Sequence, residues 1–353
     1  MTDEPSAGKI SSVLMENLIY PNLGTKRKEI LVGPGAGLDT CVIDLGQEKV
    51  LVASTDPLSL IPQLGTEDSA WMSVNLLAND LSTSGLSPQY MMVDLNLPPQ
   101  LSDDTLSSYW KALSEECAAL GIAIVGGNTG KFEGCDLTIV GSGTTIAVGT
   151  RGKVVSSSGA NVGDSIILTK GAAISTTGLL SKIFSHTVSE KLGEEVQQKA
   201  EGNFRKISAT RDALLAASLG TGNDGVTAIH DVAEGGVFSS MMELATASSL
   251  GMKIEKSAIL VSSETEGICS LFEIDPYWSL GEGALVITCN PVKAPAIVEK
   301  LRMQHVPASI VGEMLEKKEG VFVIQENRRF ELQRPVADPY WNAYYSAVDK
   351  KWR

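Results

Sequence analysis

Glycine-rich segments with a neighbouring aspartate occur twice in the sequence, and both suit the binding of phosphate together with a cation. The first covers residues 31–43 and reads LVGPGAGLDTCVI, so that Gly33, Gly35 and Gly37 precede Asp39. Glycine allows backbone N–H groups to approach phosphate oxygens closely, and the carboxylate of Asp39 can hold a cation. A plain turn is the simpler interpretation, and it is favoured for this segment alone because glycine motifs are weak evidence.

The second segment joins a short strand predicted at 226–229 to an amphipathic helix, and it contains Asp231, Gly235 and Gly236. The N-terminus of a helix has free N–H groups and a dipole that favours anions. A tight turn would explain the glycines, but the acidic residues beside the helix start favour a metal–phosphate centre. His230 belongs to this segment, and a lone histidine of this kind is predicted to be a packed structural residue rather than a catalyst.

Three more polar residues follow or interrupt apolar elements. Asp56 follows a strand predicted at 49–54, and polar residues at the carboxyl end of a buried strand line the crevice where open α/β sheets bind ligands. A turn-capping role is equally consistent with its Asp-Pro pair. Asn79 and Asp80 lie late in a helix predicted at 68–82, where the dipole opposes a carboxylate. A bound cation would account for Asp80, and a solvated helix face is the alternative.

Two paired glycines, Gly126 and Gly127, precede Asn128 and Thr129 where a strand predicted at 122–125 stops. We assign these four residues, with Asn79 and the other glycines, to the binding of a nucleotide. The sequence contains no GxxxxGK motif, so the phosphates would be bound without a Walker lysine. The pattern identifies no catalytic residue.

Predicted strands and helices alternate along the chain. Apolar runs predict strands at 40–45, 49–54, 89–95, 122–125, 137–148, 165–169, 226–229, 251–255, 284–288, 308–311 and 320–324. Helical spacing predicts helices at 11–18, 68–82, 103–120, 190–200, 204–218, 236–249, 264–272 and 294–303. Interleaving in both halves predicts two α/β layers of mixed sheet packed on helices.

A chain of 353 residues exceeds the size at which a single hydrophobic core stops growing, so two domains are expected. The turn-rich stretch at 156–164 marks the boundary. We expect an N-terminal arm at 1–30, a nucleotide- and metal-binding domain at 31–155, a C-terminal α/β domain at 156–340 and a tail at 341–353.

Composition excludes several classes of function. The net charge of −13 argues against nucleic acid, because phosphate backbones require basic surfaces. An apolar run that could span a bilayer is missing from the sequence and its start is acidic, so we expect no membrane association and a cytoplasmic protein. Five scattered cysteines without a CxxC pair, and three histidines, argue against a zinc cluster. A cation can still bridge carboxylates to the phosphates of ATP.

Taken in order, these segments resemble the superfamily of aminoimidazole ribonucleotide synthetase (PurM-like), which includes thiamine-monophosphate kinase, selenophosphate synthetase and the hydrogenase maturation factor HypE. HypE-like, synthetase-related proteins are the most similar group. Their pattern runs LVGPGxGEDAAVI, SDP, VNxNDIAxSG, GGHTE and DxxxGG. This chain has LVGPGAGLDTCVI at 31–43, STDP at 54–57, VNLLANDLSTSG at 74–85, GGNTG at 126–130 and DVAEGG at 231–236.

The resemblance implies a two-domain PurM-like α/β (α+β) fold. In this fold the N-terminal sheets of two subunits pair into a β-barrel, and each C-terminal domain is an α/β sandwich. It also implies a homodimer with ATP between the domains, Asp39, Asp56 and Asp80 near Mg²⁺, and the glycine turns on phosphate. Members of the superfamily use ATP to phosphorylate or activate an oxygen of a small substrate, and catalysis depends on positioning and charge neutralisation. We therefore expect an ATP- and Mg²⁺-dependent enzyme with an unidentified small-molecule substrate.

This chain departs from the family pattern at three positions and near its end. Leu38 replaces the acid before Asp39, while Asn128 and Gly130 replace two ionisable residues. These changes indicate that cations bind more weakly or that fewer of them bind. The reactive cysteine of the HypE C-terminus has no counterpart, so carbamoyl-to-cyanide chemistry is poorly supported. Two alternatives stay open: a thiamine-monophosphate kinase-like phosphotransferase, and a non-catalytic nucleotide-binding scaffold that docks a maturation partner protein.

Overall fold

The computed structural model describes residue 8, residue 10 and residues 12–353, and it contains two β-sheets with helices packed on them. This mixed α/β architecture is the coarse fold class expected from the alternation of elements. The arm begins with a short helix, α1 (Ser12–Leu14), followed by a π-helical turn (Met15–Ile19) and a 3-10 turn (Tyr20–Asn22). Within the described residues, no helix is both long enough and apolar enough to cross a membrane.

The first sheet has six strands in the order β1-β2-β3-β6-β4-β5. These are β1 (Ile30–Val32), β2 (Cys41–Gly46), β3 (Lys49–Leu58), β4 (Tyr90–Leu97), β5 (Ala123–Lys131) and β6 (Gly141–Thr150). The β4–β5 pair is parallel and the other pairs are antiparallel. Two helices, α2 (Gly65–Ser82) and α3 (Asp103–Ala119), cover one face, and their apolar side chains form one core with those of β4.

The strands of the first sheet alternate between the covered face and an open one. In β4, Met91 and Val93 are buried beneath the helices, whereas Tyr90 and Met92 are 42% and 46% exposed on the opposite face. Successive side chains of a strand point to opposite faces of the sheet, so this open face is a consequence of the one-sided helix layer.

The second sheet has seven strands in the order β13-β12-β9-β11-β7-β10-β8. In chain order they are β7 (Ser165–Thr169), β8 (Val226–Asp231), β9 (Gly251–Glu255), β10 (Leu285–Cys289), β11 (Ala308–Leu315), β12 (Val321–Gln325) and β13 (Arg328–Glu331). Both faces of its centre are buried: Ile166 and Leu168 belong to one apolar cluster, and Ile167 belongs to another on the opposite side. Burial on both faces explains why β7 is a continuous apolar run.

Eight more α-helices lie in the part of the chain that the structure describes. In chain order, they are α4 (Ile174–Ile183), α5 (Ser185–Leu192), α6 (Glu194–Glu201), α7 (Thr210–Ala217), α8 (Gly236–Ala247), α9 (Ser263–Phe272), α10 (Ala294–Met303) and α11 (Pro339–Asp349), with a 3-10 segment at Gly202–Ile207. Helix α8 packs in one sheet-face cluster, and α7 and α10 pack in the other. Side chains of α4, α9 and α11 form a separate core with Met72 of α2.

Several sequence-based boundaries differ from the structure. Strand β5 continues to Lys131, although it was expected to stop at 125, because it stays paired with β4. Gly127 permits this pairing: its φ is +147°, and a Cβ there would lie 1.7 Å from the carbonyl oxygen of Val93. The helix expected at 190–200 is divided at Gly193 into α5 and α6, since this residue has a φ of +92°.

The C-terminal region also differs from expectation. The tail predicted at 341–353 is instead largely helical, because α11 covers Pro339–Asp349. Tyr340, Ala343 and Ala347 of α11 are buried in the core that α4 and α9 share. The helix α4 was likewise not predicted from the sequence.

Candidate functional site

Four aspartates predicted as metal ligands converge from four parts of the chain. Asp39 precedes β2, Asp56 lies in β3, Asp80 is in α2, and Asp231 ends β8. Asp80 is buried, and burial together with the negative charges of Asp231, Asp56 and Asp39 raises its pKa well above the usual value. Carboxylates that repel one another in a buried place are stabilised by a cation, so the cluster fits the metal site that we predict.

Strand β3 places two polar residues beneath helix α2. Its buried residues alternate, and Ser54 and Asp56 lie on the same face of the strand as buried Val52. The Oγ atom of Ser54 donates a hydrogen bond of 2.9 Å to Oδ2 of Asp80. Strand β3 continues past Asp56 to Leu58, so Asp56 lies within the strand rather than after it, and its role as a metal ligand stays a prediction.

Asp39 links the loop before β2 to the second sheet. Its Oδ1 lies 2.6 Å from Nδ1 of His230, and its Oδ2 accepts a hydrogen bond of 3.0 Å from Ser157. One ligand atom each of Asp39, His230 and Asp231 lies within 4.8 Å of the others. The two halves of the chain thus meet at a cluster of oxygen and nitrogen donors.

The other ring nitrogen of His230 faces a second carboxylate. Nε2 lies 3.2 Å from Oε2 of Glu243, and Arg334 contacts the Oε1 atom of Glu243 at 2.5 Å. Burial alone would lower the pKa of His230, but the charges of Asp39 and Glu243 outweigh it and raise the pKa well above its usual value. His230 is buried, as the sequence predicts, yet it lies at the centre of the charged cluster.

The first glycine segment is shaped by packing between the two halves. Gly37 has a φ of +72°, and a Cβ there would lie 2.3 Å from the backbone oxygen of Glu243 in α8. This close approach brings the loop that carries Asp39 against α8. Gly33 and Gly35 lie in the same loop, and their contact with phosphate stays a prediction.

The second glycine segment binds a carboxylate of this chain. The N–H of Gly235 donates a hydrogen bond of 2.7 Å to Oδ2 of Asp338, and Asp338 also accepts a hydrogen bond from the backbone N–H of Tyr340 at the start of α11. Gly236 packs so closely that a Cβ would lie 2.7 Å from the backbone of Ser279. The N–H of Gly235 is therefore engaged by Asp338 in this structure, and the contact of Gly235 and Gly236 with phosphate stays a prediction.

Asn79 joins the two halves through its side-chain amide. Nδ2 donates to the carbonyl of Ile207 at 2.7 Å, and Oδ1 accepts from the N–H of Ala209 at 2.7 Å. These two bonds fix the orientation of the amide in a buried place. In this structure Asn79 positions α2 and its neighbour Asp80, and its contact with a nucleotide stays a prediction.

The segment Gly126–Gly127–Asn128–Thr129 lies in β5, at the edge of the first sheet. Asn128 is paired in register with Asp94 of β4 and donates a hydrogen bond of 3.3 Å to its Oδ1. Asp94 alternates with buried Val93, so it faces the open side of the sheet, whereas Asp80 lies on the helix-covered side. The Asn128 side chain therefore lies on the face opposite to Asp80, and the contact of this segment with a nucleotide stays a prediction.

Glu282 is a buried acid that the sequence reading missed. Burial raises its pKa to about 7, although a hydrogen bond from Ser175 favours the charged form, and the charges of Asp338 and Asp231 add to the increase. Its sequence, Gly281-Glu282-Gly283 before an apolar strand, is the same kind of signal as the glycines around Asp39. That signal could have identified it.

Comparison with known proteins gives a consistent family. Residues 37–149 match the N-terminal domain of AIR synthase related proteins, and residues 161–325 match the C-terminal domain of the same family. A protein of Methanocaldococcus jannaschii named for hydrogenase expression/formation is 26% identical over 95% of this chain and 96% of its own length. The carbamoyl dehydratase HypE of Cupriavidus necator is 26% identical over 76% of this chain and 73% of its own.

Solved structures share the fold at lower sequence identity. ThiL complexed with AMPPCP and TMP has a TM-score of 0.69 at 21% identity, covering 93% of this chain and 99% of that one. HypE in a complex with HypF has a TM-score of 0.70 at 18% identity, with coverages of 91% and 99%. HypE in complex with ATP has a TM-score of 0.65 at 20% identity, with coverages of 95% and 97%.

Proposed function

The chain belongs to the family of AIR synthase related proteins, and from this premise we propose that it is a cytoplasmic enzyme that binds ATP with Mg²⁺ and phosphorylates or activates an oxygen of a small substrate. The observation that carries the proposal is the convergence of Asp39, Asp56 and Asp231 on the buried carboxylate of Asp80. Support for ATP comes from the fold shared with a HypE structure that contains ATP and a ThiL structure that contains AMPPCP.

We propose that the nucleotide lies between a first domain at 31–155 and a second at 156–340. Asp39 and Asp80 belong to the first and Asp231 to the second, so a cation held by all three would join them. Mg²⁺ prefers oxygen ligands, and it would supply charge neutralisation at the phosphates. The protein's part is to hold these carboxylates in place, through Ser54 on Asp80 and Ser157 on Asp39.

A thiamine-monophosphate kinase-like phosphotransfer is the second candidate, and the fold similarity to ThiL with bound AMPPCP and TMP favours it. A reaction that depends on a reactive thiol near the C-terminus is less favoured, because the last cysteine of the sequence is Cys289. Cys289 lies in β10, and burial raises the pKa of its thiol to about 12. A protonated thiol is a poor nucleophile.

We also propose that the protein is a homodimer whose copies cover the open face of the first sheet. Tyr90, Met92 and Val125 are exposed on β4 and on the edge strand β5. Exposed apolar strands at a sheet edge are normally paired or covered. Pairing of two such sheets would form the β-barrel expected from the family resemblance.

A non-catalytic scaffold is the remaining alternative, and it rests on the HypE–HypF complex, in which a relative assembles with a protein partner. Turnover distinguishes the two. We expect release of phosphate or ADP from ATP when the purified protein is supplied with a panel of phosphorylated and carbamoylated metabolites. Binding of MgATP without turnover of any of them would favour the scaffold.

The direct test of the nucleotide site is a thermal melt with ATP, with Mg²⁺ or with a chelator. A ligand that binds only the folded state at a hundredfold excess over its Kd stabilises it by about 2.7 kcal/mol. We expect MgATP to raise the melting temperature more than ATP with chelator does. Equal melting temperatures would contradict the proposal.

A further inference from the structure

One nitrogen of His230 points into the aspartate cluster, where its close neighbour is Asp39. The side chain is 5% exposed, and Nδ1 lies 2.6 Å from Oδ1 of Asp39. Nδ1 is buried, and this close contact with Asp39 falls outside strict hydrogen-bond geometry. One ligand atom each of Asp39, His230 and Asp231 lies within 4.8 Å of the others.

The opposite nitrogen of the ring is held in the way that is usual for a metal-bound histidine. Nε2 lies 3.2 Å from Oε2 of Glu243, and Arg334 contacts the other oxygen of that carboxylate. A histidine ligand almost always donates its second ring N–H to a carboxylate, carbonyl or water, which fixes the tautomer and the ring orientation. In a metal-bound form, the Nδ1 proton would be released, Nε2 would keep its proton for Glu243, and the lone pair of Nδ1 would face the ion.

We propose that His230 Nδ1, Asp39 and Asp231 form a binding site for a divalent transition metal ion of the Mn²⁺, Co²⁺ or Zn²⁺ class. Imidazole nitrogen suits these ions, whereas Mg²⁺ is held by oxygen ligands. Metal–ligand bonds of about 2.1 Å allow donors to be at most roughly 4.2 Å apart, so a small movement closes the set around one ion. The inference shares Asp39 and Asp231 with the cation site of the proposed function and rests on it to that extent.

The competing explanation is that His230 is a protonated side chain that balances Asp39 and Glu243 and never binds a metal. The two explanations differ in metal selectivity. A purely electrostatic His230 would affect Mg²⁺ and Co²⁺ alike, because both are divalent. A nitrogen ligand would strengthen the binding of Co²⁺ and leave that of Mg²⁺ unchanged.

The experiment is a titration of the chelator-treated full chain with Co²⁺ and, separately, with Mg²⁺, in the absence of nucleotide. Binding is followed by calorimetry and by the visible absorption of Co²⁺. We expect His230→Gln to weaken Co²⁺ binding at least tenfold and to change Mg²⁺ binding less than twofold. His305→Gln is the matched control, since its histidine lies in a turn outside the cluster, and it should bind both ions like the wild type.

Three results would overturn the inference: a wild-type protein that binds Co²⁺ no more tightly than Mg²⁺, a His230→Gln variant that binds Co²⁺ like the wild type, or equal losses for both ions. If His230→Gln does not fold, Glu243→Gln decides in its place. Loss of an outer-shell partner typically weakens metal binding about 10–100-fold, so unchanged Co²⁺ affinity and spectrum in this variant would also overturn it. Tight Co²⁺ binding together with failure of MgATP to bind would refute the proposed function and leave this site standing.

Discussion

Ser54 donates a hydrogen bond of 2.9 Å to Oδ2 of Asp80 across the contact between strand β3 and helix α2. This bond favours the charged carboxylate, but burial and the charges of Asp231, Asp56 and Asp39 oppose it and raise the pKa of Asp80. Helix position adds to the cost, because a carboxylate near the C-terminal end of a helix opposes the dipole. Asp80 is thus retained where the metal-free protein gains no stability from its charge.

The first prediction is that Asp80→Asn abolishes MgATP binding and leaves the nucleotide-free protein as stable or more stable. The amide keeps an acceptor for Ser54 and removes a repelled charge, so the gain in the free energy of unfolding is on the order of 1 kcal/mol. Calorimetric titration with MgATP and thermal melts of the apo proteins provide the measurement. Asp104→Asn, at an exposed position in α3, is the control. An Asp80→Asn variant that binds MgATP normally would remove Asp80 from the site.

The second prediction concerns the buried pair Lys170–Asp212. The Nζ of Lys170 donates to the carbonyls of Lys206, Ser208 and Gly283 at 2.7–2.9 Å, and it lies 2.8 Å from Oδ2 of Asp212. Lys170→Met leaves Asp212 buried without its cation, so we expect unfolding to become easier by about 3–5 kcal/mol in urea denaturation. Adding Asp212→Asn should restore part of the loss. A loss below about 1 kcal/mol in the single variant would refute this prediction.

The third prediction tests the proposed dimer. Met92 lies on the open face of the first sheet, in the strand next to the edge strand β5, and Met92→Asp places a charge in the proposed interface. We expect light scattering at micromolar concentration to show a dimer for the wild type and a monomer for the variant. Val292→Asp changes a side chain of similar character that is 83% exposed elsewhere, and it should leave the mass unchanged. A wild-type protein that is already monomeric would remove the barrel.

The sequence allowed the four aspartates to be identified because each breaks a local rule. Asp80 stands in an apolar helix, and Asp39 and Asp231 follow or precede glycines that no regular element requires. The structure brings Asp39, Asp56 and Asp231 close enough to Asp80 to affect its pKa. Local irregularity drew attention to these aspartates, and the family resemblance implied the place of Asp39, Asp56 and Asp80 near Mg²⁺. Their spatial contacts arise between distant segments, which is why the place of His230 in the cluster was not predicted.

The same local reasoning could not assign the glycines, because their neighbours are distant in sequence. Gly37 meets the backbone of Glu243, and Gly235 donates to Asp338, which is about a hundred residues further along the chain. A turn glycine and a phosphate-binding glycine have the same local pattern. Helix α11 was missed for a related reason: its aromatic residues are stabilised by packing against α4 and α9, which the local sequence does not indicate.

The last prediction is a pH dependence caused by Glu282. Burial raises the pKa of Glu282 from the usual 4.5 to about 7, so between these values the folded protein keeps a proton that the unfolded chain releases. The free energy of unfolding of the wild type therefore falls as pH rises through this window, by at most about 1.4 kcal/mol per pH unit from this group. In Glu282→Gln this contribution is absent, so the variant should match the wild type near pH 4 and become more stable than it by pH 8. Urea denaturation at intervals across that range provides the measurement, with Glu299→Gln, on the exposed side of α10, as the control. Parallel stability curves for the wild type and Glu282→Gln would show that folding does not raise the pKa of Glu282, and they would contradict the prediction.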